Sequence, residues 1–206
     1  MAIVAYRGQP VAPSTGGELV FQDDFERTTP GSAYRIAKAD QGWKAGEWTL
    51  KDGRLIAEKI HNAALWLKQP LPQNTRIEFD IRAHSENGDL KCEAFGDGHN
   101  HQSGYIFIMG GWKNTVNCIA RLDEHGEDRK NDNRCPRHGG RRRCVEPEVD
   151  YRWVIERFDE TVRWYVDGKL MLMYPDRDPL PGKHFGFNNW EAQVSFDNLR
   201  IYDLSK

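Results

Sequence analysis

Residues 75–84 read TRIEFDIRAH, with Ile77, Phe79 and Ile81 on one side of an extended chain and Glu78, Asp80 and Arg82 on the other. An apolar set alternating with a charged set at period two marks a strand with one face in a core and the other in water. Working outward, the same alternation, or a short apolar run between turn residues, recurs at 90–95, 104–109 and 115–122. After a polar gap, 151–158 and 161–166 read as a hairpin around Asp159-Glu160, and Asp167-Gly168 turns the chain into 169–174. Strands at 184–188 and 193–202 follow. Upstream, 19–25 and 48–58 read as strands, the latter broken by a Lys51-Asp52-Gly53 turn, and 64–68 as another.

No stretch of about a dozen residues holds a helical period, so the chain is predicted to be all-β. Short strands at this spacing predict an antiparallel β-sandwich or barrel. We expect an N-terminal extension over 1–18 and one domain over 19–206, interrupted by a long loop at 127–148 that has no apolar periodicity.

The composition narrows the function. With 29 Lys+Arg against 31 Asp+Glu and a net charge of -2, the chain is too balanced to bind nucleic acid through overall basicity. Its 11% aromatic content argues against disorder. The longest apolar runs fall short of the roughly 20 residues of a membrane helix, so no membrane span is expected. The first twenty residues are neither a signal sequence nor an anchor, which leaves a cytoplasmic protein and an exported one that has lost its signal both open.

Four cysteines without C-x₂-C spacing favour disulfides or inert thiols over zinc. Cys135 and Cys144 bracket a Gly-Gly turn and are expected to be bridged, and Cys92 and Cys118 would bridge only if their strands are neighbours. Between residues 127 and 144, seven cations (Arg129, Lys130, Arg134, Arg137, Arg141, Arg142, Arg143) outnumber three acids (Glu127, Asp128, Asp132). This basic loop reads either as a site for an acidic polysaccharide, a phosphate-rich partner or a protein, or as a solvated insertion.

Four segments carry a family resemblance: FQDDFER (21–27), GEWTLKDGRL (46–55), YRWVIERFDETVRWYVDGKL (151–170) and FGFNNWEAQVSFDNLRIYDL (185–204). Together they resemble the concanavalin A-like lectin/glucanase jelly roll, and within it LamG-like and 3-keto-disaccharide hydrolase-like bacterial modules. The resemblance implies two curved antiparallel sheets with a concave face that carries sugar, and an extracytoplasmic or secreted setting. It also implies a structural calcium where first and last strands meet, for which Asp23, Asp24, Glu26, Asp197 and Asn198 have the right chemistry, with Asp24 and Asp197 as the leading pair.

Retaining laminarinase-type relatives carry an E-x-D-x-x-E or E-x-D-x-E motif on one strand, which here matches only as Glu78-Phe79-Asp80 before Arg82 and Ala83. A two-carboxylate site is not expected there, and a salt-bridged face is. Whether the protein is an enzyme stays open, because a pair could still assemble from separate segments such as Asp97, Asp123 and Glu191. The expected function is a non-catalytic, lectin-like carbohydrate-binding module. A glycoside-active enzyme and a protein-interaction module acting through the basic loop are the alternatives.

Candidate ligand residues come from strand ends and loops. Trp112 follows Gly110-Gly111, and Trp190 follows Asn188 and Asn189, so both indoles sit beside turns where they can stack on a pyranose, whereas Trp48, Trp153 and Trp164 read as core. Asp97, His99 and His101 have i, i+2, i+4 spacing, and Arg121, Asp123 and His125 repeat it. Extended, either triplet presents three polar groups on one face; in a loop they are solvated or cap a strand end.

Overall fold

The computed structural model describes residues 12–39, 43, 46–138 and 140–206. In chain order the strands are β1 (Glu18–Asp23), β2 (Tyr34–Ile36), β3 (Glu47–Lys51), β4 (Arg54–Glu58), β5 (Leu65–Leu67), β6 (Thr75–Ala83), β7 (Leu90–Gly96) and β8 (Tyr105–Gly110). They continue with β9 (Val116–Arg121), β10 (Lys130–Asp132), β11 (Arg137–His138), β12 (Arg141–Arg142), β13 (Asp150–Phe158), β14 (Thr161–Val166), β15 (Lys169–Pro175), β16 (His184–Asn188) and β17 (Val194–Asp203). One antiparallel sheet runs β15-β14-β13-β6-β17-β4-β3, with β1 also on β17, and a second runs β10-β9-β8-β7-β16-β5-β2.

The sheets form a sandwich because each offers one apolar face. Ile77, Phe79 and Ile81 of β6 point inward as their alternation predicts, and Phe79 meets Phe185 and Phe187 of the opposite sheet at ring-centroid distances of 5.6 and 5.5 Å. Trp153 and Trp164 pack at 4.5 Å in the same core, and Trp48 packs on Phe196. Burial of aromatic area on this scale is the main favourable contribution to folding. At the Asp52-Gly53 and Asp167-Gly168 turns both residues take positive φ, between 50° and 73°, which matches the twist of the flanking strands.

Strand β17 is unusual in its pairing. It lies against β6 along one edge, while its other edge holds β4 with Val194–Phe196 and then β1 with Leu199–Asp203. The expected extension 1–18 falls mostly outside the described residues. Of its described part, Ser14 donates to Glu156 at 2.6 Å, and Arg76 donates to the Ser14 and Gly16 carbonyls.

One expectation needs correction, one strand went unread, and the condition set for a Cys92–Cys118 bridge is not met. Residues 127–148 are not a structureless loop: 130–132 pair with β9 at a sheet edge, and β11 and β12 form a hairpin. Three-residue β2 was not foreseen at all. Cys92 and Cys118 are free, since β8 separates their strands, and Cys92 points into the core while Cys118 lies in the small apolar cluster on the other side of the sheet. Cys135 and Cys144 are disulfide-bonded, as expected.

Candidate functional site

The outer face of the second sheet is shaped by what lies across β7. Leu90, Cys92 and Ala94 of that strand enter the core, so Lys91 and Glu93 must project to the opposite side. Both are almost completely buried there. Lys91 donates from Nζ to Glu124 Oε2 at 2.9 Å and to Asn62 Oδ1 at 3.1 Å. Glu93 accepts hydrogen bonds through Oε1 from His101 and from Asn188 Nδ2, the latter at 2.9 Å. His101 Nε2 stands 3.8 Å from Glu124. Asp89, just before β7, sits near the backbone N–H of Trp190. Elsewhere on this face Trp66 lies flat over two glycines: a Cβ at Gly186 or Gly96 would come within 2.8 or 2.5 Å of the indole.

A cleft of 720 Å3 opens above Asp89, Lys91 and Glu124. Because β7 lies between β8 and β16, the residues that follow those neighbours rise on either side of it: Trp112 after β8 and Trp190 after β16. Trp190 is backed by His61 and Trp43, whose rings stack at 4.3 Å and meet Trp190 edge-on at 5.2 and 5.5 Å. Trp112, 37% exposed, is met edge-on by His125, and the Arg129 guanidinium stands over its ring at 4.5 Å.

Left-handed backbone concentrates around this cleft. Trp112, Lys113 and Asn114 follow Gly110 and Gly111 with φ of 49°, 62° and 63°, and Asn62, Asp89, Gln102 and Glu191 on the lining are also at positive φ. Such conformations cost roughly 1–2 kcal/mol for a residue with a Cβ, and persist where neighbours over-determine them. Here Asn114 does so: its Nδ2 donates to the Val145 and Glu86 carbonyls at 2.7 and 3.1 Å, and its Oδ1 accepts Val145 N–H at 2.8 Å. The turn carrying Trp112 is thereby fastened to the chain leaving the disulfide loop.

Charge is distributed unevenly over the floor. Burial pushes the Asp89 carboxyl above its usual value, and Lys91 only partly offsets this. Burial also acts upward on Glu124, but the charges of Lys91 and His101 and the Lys91 hydrogen bond outweigh it and hold that carboxyl low. Lys91 loses hydration in the same place, yet Asp89 and Glu124 together raise it above an ordinary lysine. The cleft therefore holds an ammonium between one carboxyl that resists ionisation and one that favours it.

The sequence-derived candidates divide. Trp112, Trp190 and His125 line the cleft. His101, Asn188 and Asn189 lie beneath it, Asn189 accepting the Asn62 N–H through its carbonyl. His99 is away from it, against Arg35, and Arg121 pairs with Asp176 at 2.8 Å. Asp123 caps its own turn through the His125 N–H, and Asp97 caps His99 and Asn100. Asp24 accepts the Glu26 N–H, and Asp197 lies 3.6 Å from Arg54. Among the described residues no group of three or more His, Cys, Asp and Glu side chains could hold a metal ion. Asp89, Lys91, Glu93 and Glu124 were missed, although the alternation of Lys91 and Glu93 against Leu90, Cys92 and Ala94 was there to be read.

No protein-family model and no curated protein matches the chain. Solved structures do. A non-specific endo-β-1,3(4)-glucanase from family GH16 superposes with a TM-score of 0.64 at 13% identity, over 95% of this chain and 94% of that one. A laminarinase from Flavobacterium sp. UMI-01 gives 0.64 at 11% identity, over 90% of this chain and 100% of that one. The carbohydrate-binding module CBM66 from Bacillus subtilis gives 0.55 at 15% identity, over 85% and 98%. The fold is the concanavalin A-like jelly roll that these proteins share.

Proposed function

We propose that the protein is a carbohydrate-binding module whose ligand lies in the cleft over β7, between Trp112 and Trp190. One observation carries the reading: two indoles from separate strand ends flank a floor of fixed donors and acceptors, Lys91, Asp89, Glu124 and Asn62. Pyranose rings offer apolar C–H faces to the indoles and hydroxyls to such a floor. The structural neighbours, two glucanases and a carbohydrate-binding module, support this reading. The basic loop then belongs to the binding surface, and a carbohydrate ligand fits an extracytoplasmic setting.

The test is binding to a glycan array followed by titration calorimetry on any hit. Trp112→Ala and Trp190→Ala are each expected to weaken binding up to about tenfold, since aromatic stacking contributes roughly 0.5–1.5 kcal/mol. Near-ultraviolet circular dichroism and the melting temperature should stay close to wild type. Unfolding of either variant would make that indole part of the packing and move the site.

A second reading rests on Asp89 and Glu124. Two carboxyls in one cleft, one raised by burial and one held low by Lys91 and His101, have the pairing of acid and base that glycosidic chemistry uses, provided their separation fits one of its two geometries. Release of reducing ends from a bound glycan, abolished in Asp89→Asn, would establish a hydrolase. Tight binding without product would leave the binding module.

A further inference from the structure

The disulfide-closed hairpin is tied to one wall of the cleft. Cys144 donates its N–H to the Asn114 carbonyl at 3.2 Å, Val145 exchanges hydrogen bonds with the Asn114 side chain, and Cys135 Sγ lies 3.4 Å from the Thr115 carbonyl. Arg143 pairs with Glu86, whose carbonyl accepts from the same Asn114 side chain. Thus the turn that lifts Trp112 into the cleft is also the base on which β11 and β12 stand.

Cations on this wall outnumber their carboxylate partners. Lys113 is exposed on the lining, Arg129 stands over Trp112, and Arg137, Arg141 and Arg142 project from the hairpin. Arg134 is neutralised by Asp132 at 2.8 Å and Arg143 by Glu86. Among the described residues, no carboxylate pairs with Lys113, Arg137, Arg141 or Arg142. On the Trp190 wall the lining holds Glu191, which lies 3.2 Å from His61. In a chain whose total charge is -2, a run of cations without carboxylate partners, beginning at a stacking indole and continuing onto a covalently closed hairpin, is a polarised surface.

We infer that the ligand is an anionic glycan, one sugar of which stacks on Trp112 while its neighbouring carboxylates or sulfates are held by Lys113 and the hairpin arginines. This deepens the carbohydrate reading above and rests on it. Guanidinium pairs with carboxylate and sulfate oxygens through paired, charge-assisted hydrogen bonds. The disulfide reduces the ordering cost of presenting three arginines on one short loop. Neutral chains gain nothing from that hairpin.

The experiment compares binding of polygalacturonate, dextran sulfate, a neutral mixed-linkage β-glucan and duplex DNA by biolayer interferometry, on wild type, Arg137→Ala/Arg141→Ala and Trp112→Ala. At least one acidic glycan is expected to bind more tightly than the neutral glucan, and which of the two does so separates carboxylate from sulfate recognition. Release of about three counterions makes a tenfold rise in salt cost on the order of a hundredfold in affinity, by analogy with other linear polyanions. The double arginine variant should lose about tenfold or more with its melting temperature unchanged, and Trp112→Ala should weaken the same ligand. Binding of the neutral glucan alone, unaffected by the arginine changes, overturns the anionic inference and leaves the carbohydrate reading intact. No binding to any glycan overturns both. Duplex DNA bound as tightly as the glycans, or acidic-glycan binding indifferent to Trp112→Ala, makes the hairpin a general polyanion surface and overturns the inference.

Discussion

Strands β6 and β7 both place charge opposite a core face, yet they use it differently. On β6 Glu78, Asp80 and Arg82 stay partly solvated while Arg76 is buried, and all meet several partners: Arg152 bridges Glu78 at 2.7 Å and Asp80 at 3.2 Å, Arg76 takes the other Glu78 oxygen, and Arg82 pairs with Asp150. Asn198 Nδ2 completes Asp80 at 2.8 Å. On β7 the charges are buried beneath loops, and the pairing is incomplete, with Glu93 Oε2, His101 Nε2 and Asn189 Oδ1 lacking hydrogen-bond partners among the described residues. Removing charge from water costs several kcal/mol per ion unless the geometry repays it. The first arrangement is an ordinary surface lattice; the second carries a cost consistent with the binding cleft proposed above.

The contrast is sharpest at Lys91. Lys91→Ala leaves Asp89 and Glu124 facing each other without their cation, and should destabilise the protein by about 3–5 kcal/mol in urea unfolding. A loss below about 1 kcal/mol would erase the distinction between the two faces.

A smaller effect is expected from pH, and it has opposite signs within one cleft. Glu124 has a folded value below its unfolded one, so its stabilisation is present above the unfolded value and is lost as pH falls through the folded one. Asp89 is raised, so its contribution is complete below the unfolded value and is lost as pH rises. Between pH 3 and 7 the stability of Glu124→Gln relative to wild type should therefore fall as pH rises, and that of Asp89→Asn should climb. Parallel slopes for the two variants would contradict the assignment.

The smallest effect belongs to the lattice on β6. Arg152→Ala breaks two ion pairs but leaves both carboxylates partly in water, and should cost at most about 1 kcal/mol, less in high salt. A larger loss would mean that this face contributes as much to stability as the floor of the cleft.

This comparison also shows where sequence reading succeeds and where it stops. Alternation placed Ile77, Phe79 and Ile81 in the core, Asp-Gly turns located two hairpins, and glycine and asparagine pairs before Trp112 and Trp190 marked two indoles that share one cleft. The same alternation was present at Lys91 and Glu93, but period two does not say which charged face stays solvated. That depends on His101, which folds back from the loop just after β7, and on Glu124, which arrives from 33 residues beyond Lys91. β10 escaped notice because an edge strand made of Lys130, Asn131 and Asp132 has no apolar side to detect, and charge is how exposed edges are protected. β2 is too short to show a period.

Strand β17 has a consequence for how the molecule is made. Among the described strands it is the last to be synthesised, yet it sits in the interior of its sheet and supplies the neighbour that β6, β4 and β1 all require. Until it arrives, β6 has β13 on one side and an open edge on the other, and β1 has no partner in the sheet. Closure must then join residues from 18–23 to residues from 199–203, a high-contact-order event that folds slowly and leaves strand edges open to other chains in the meantime.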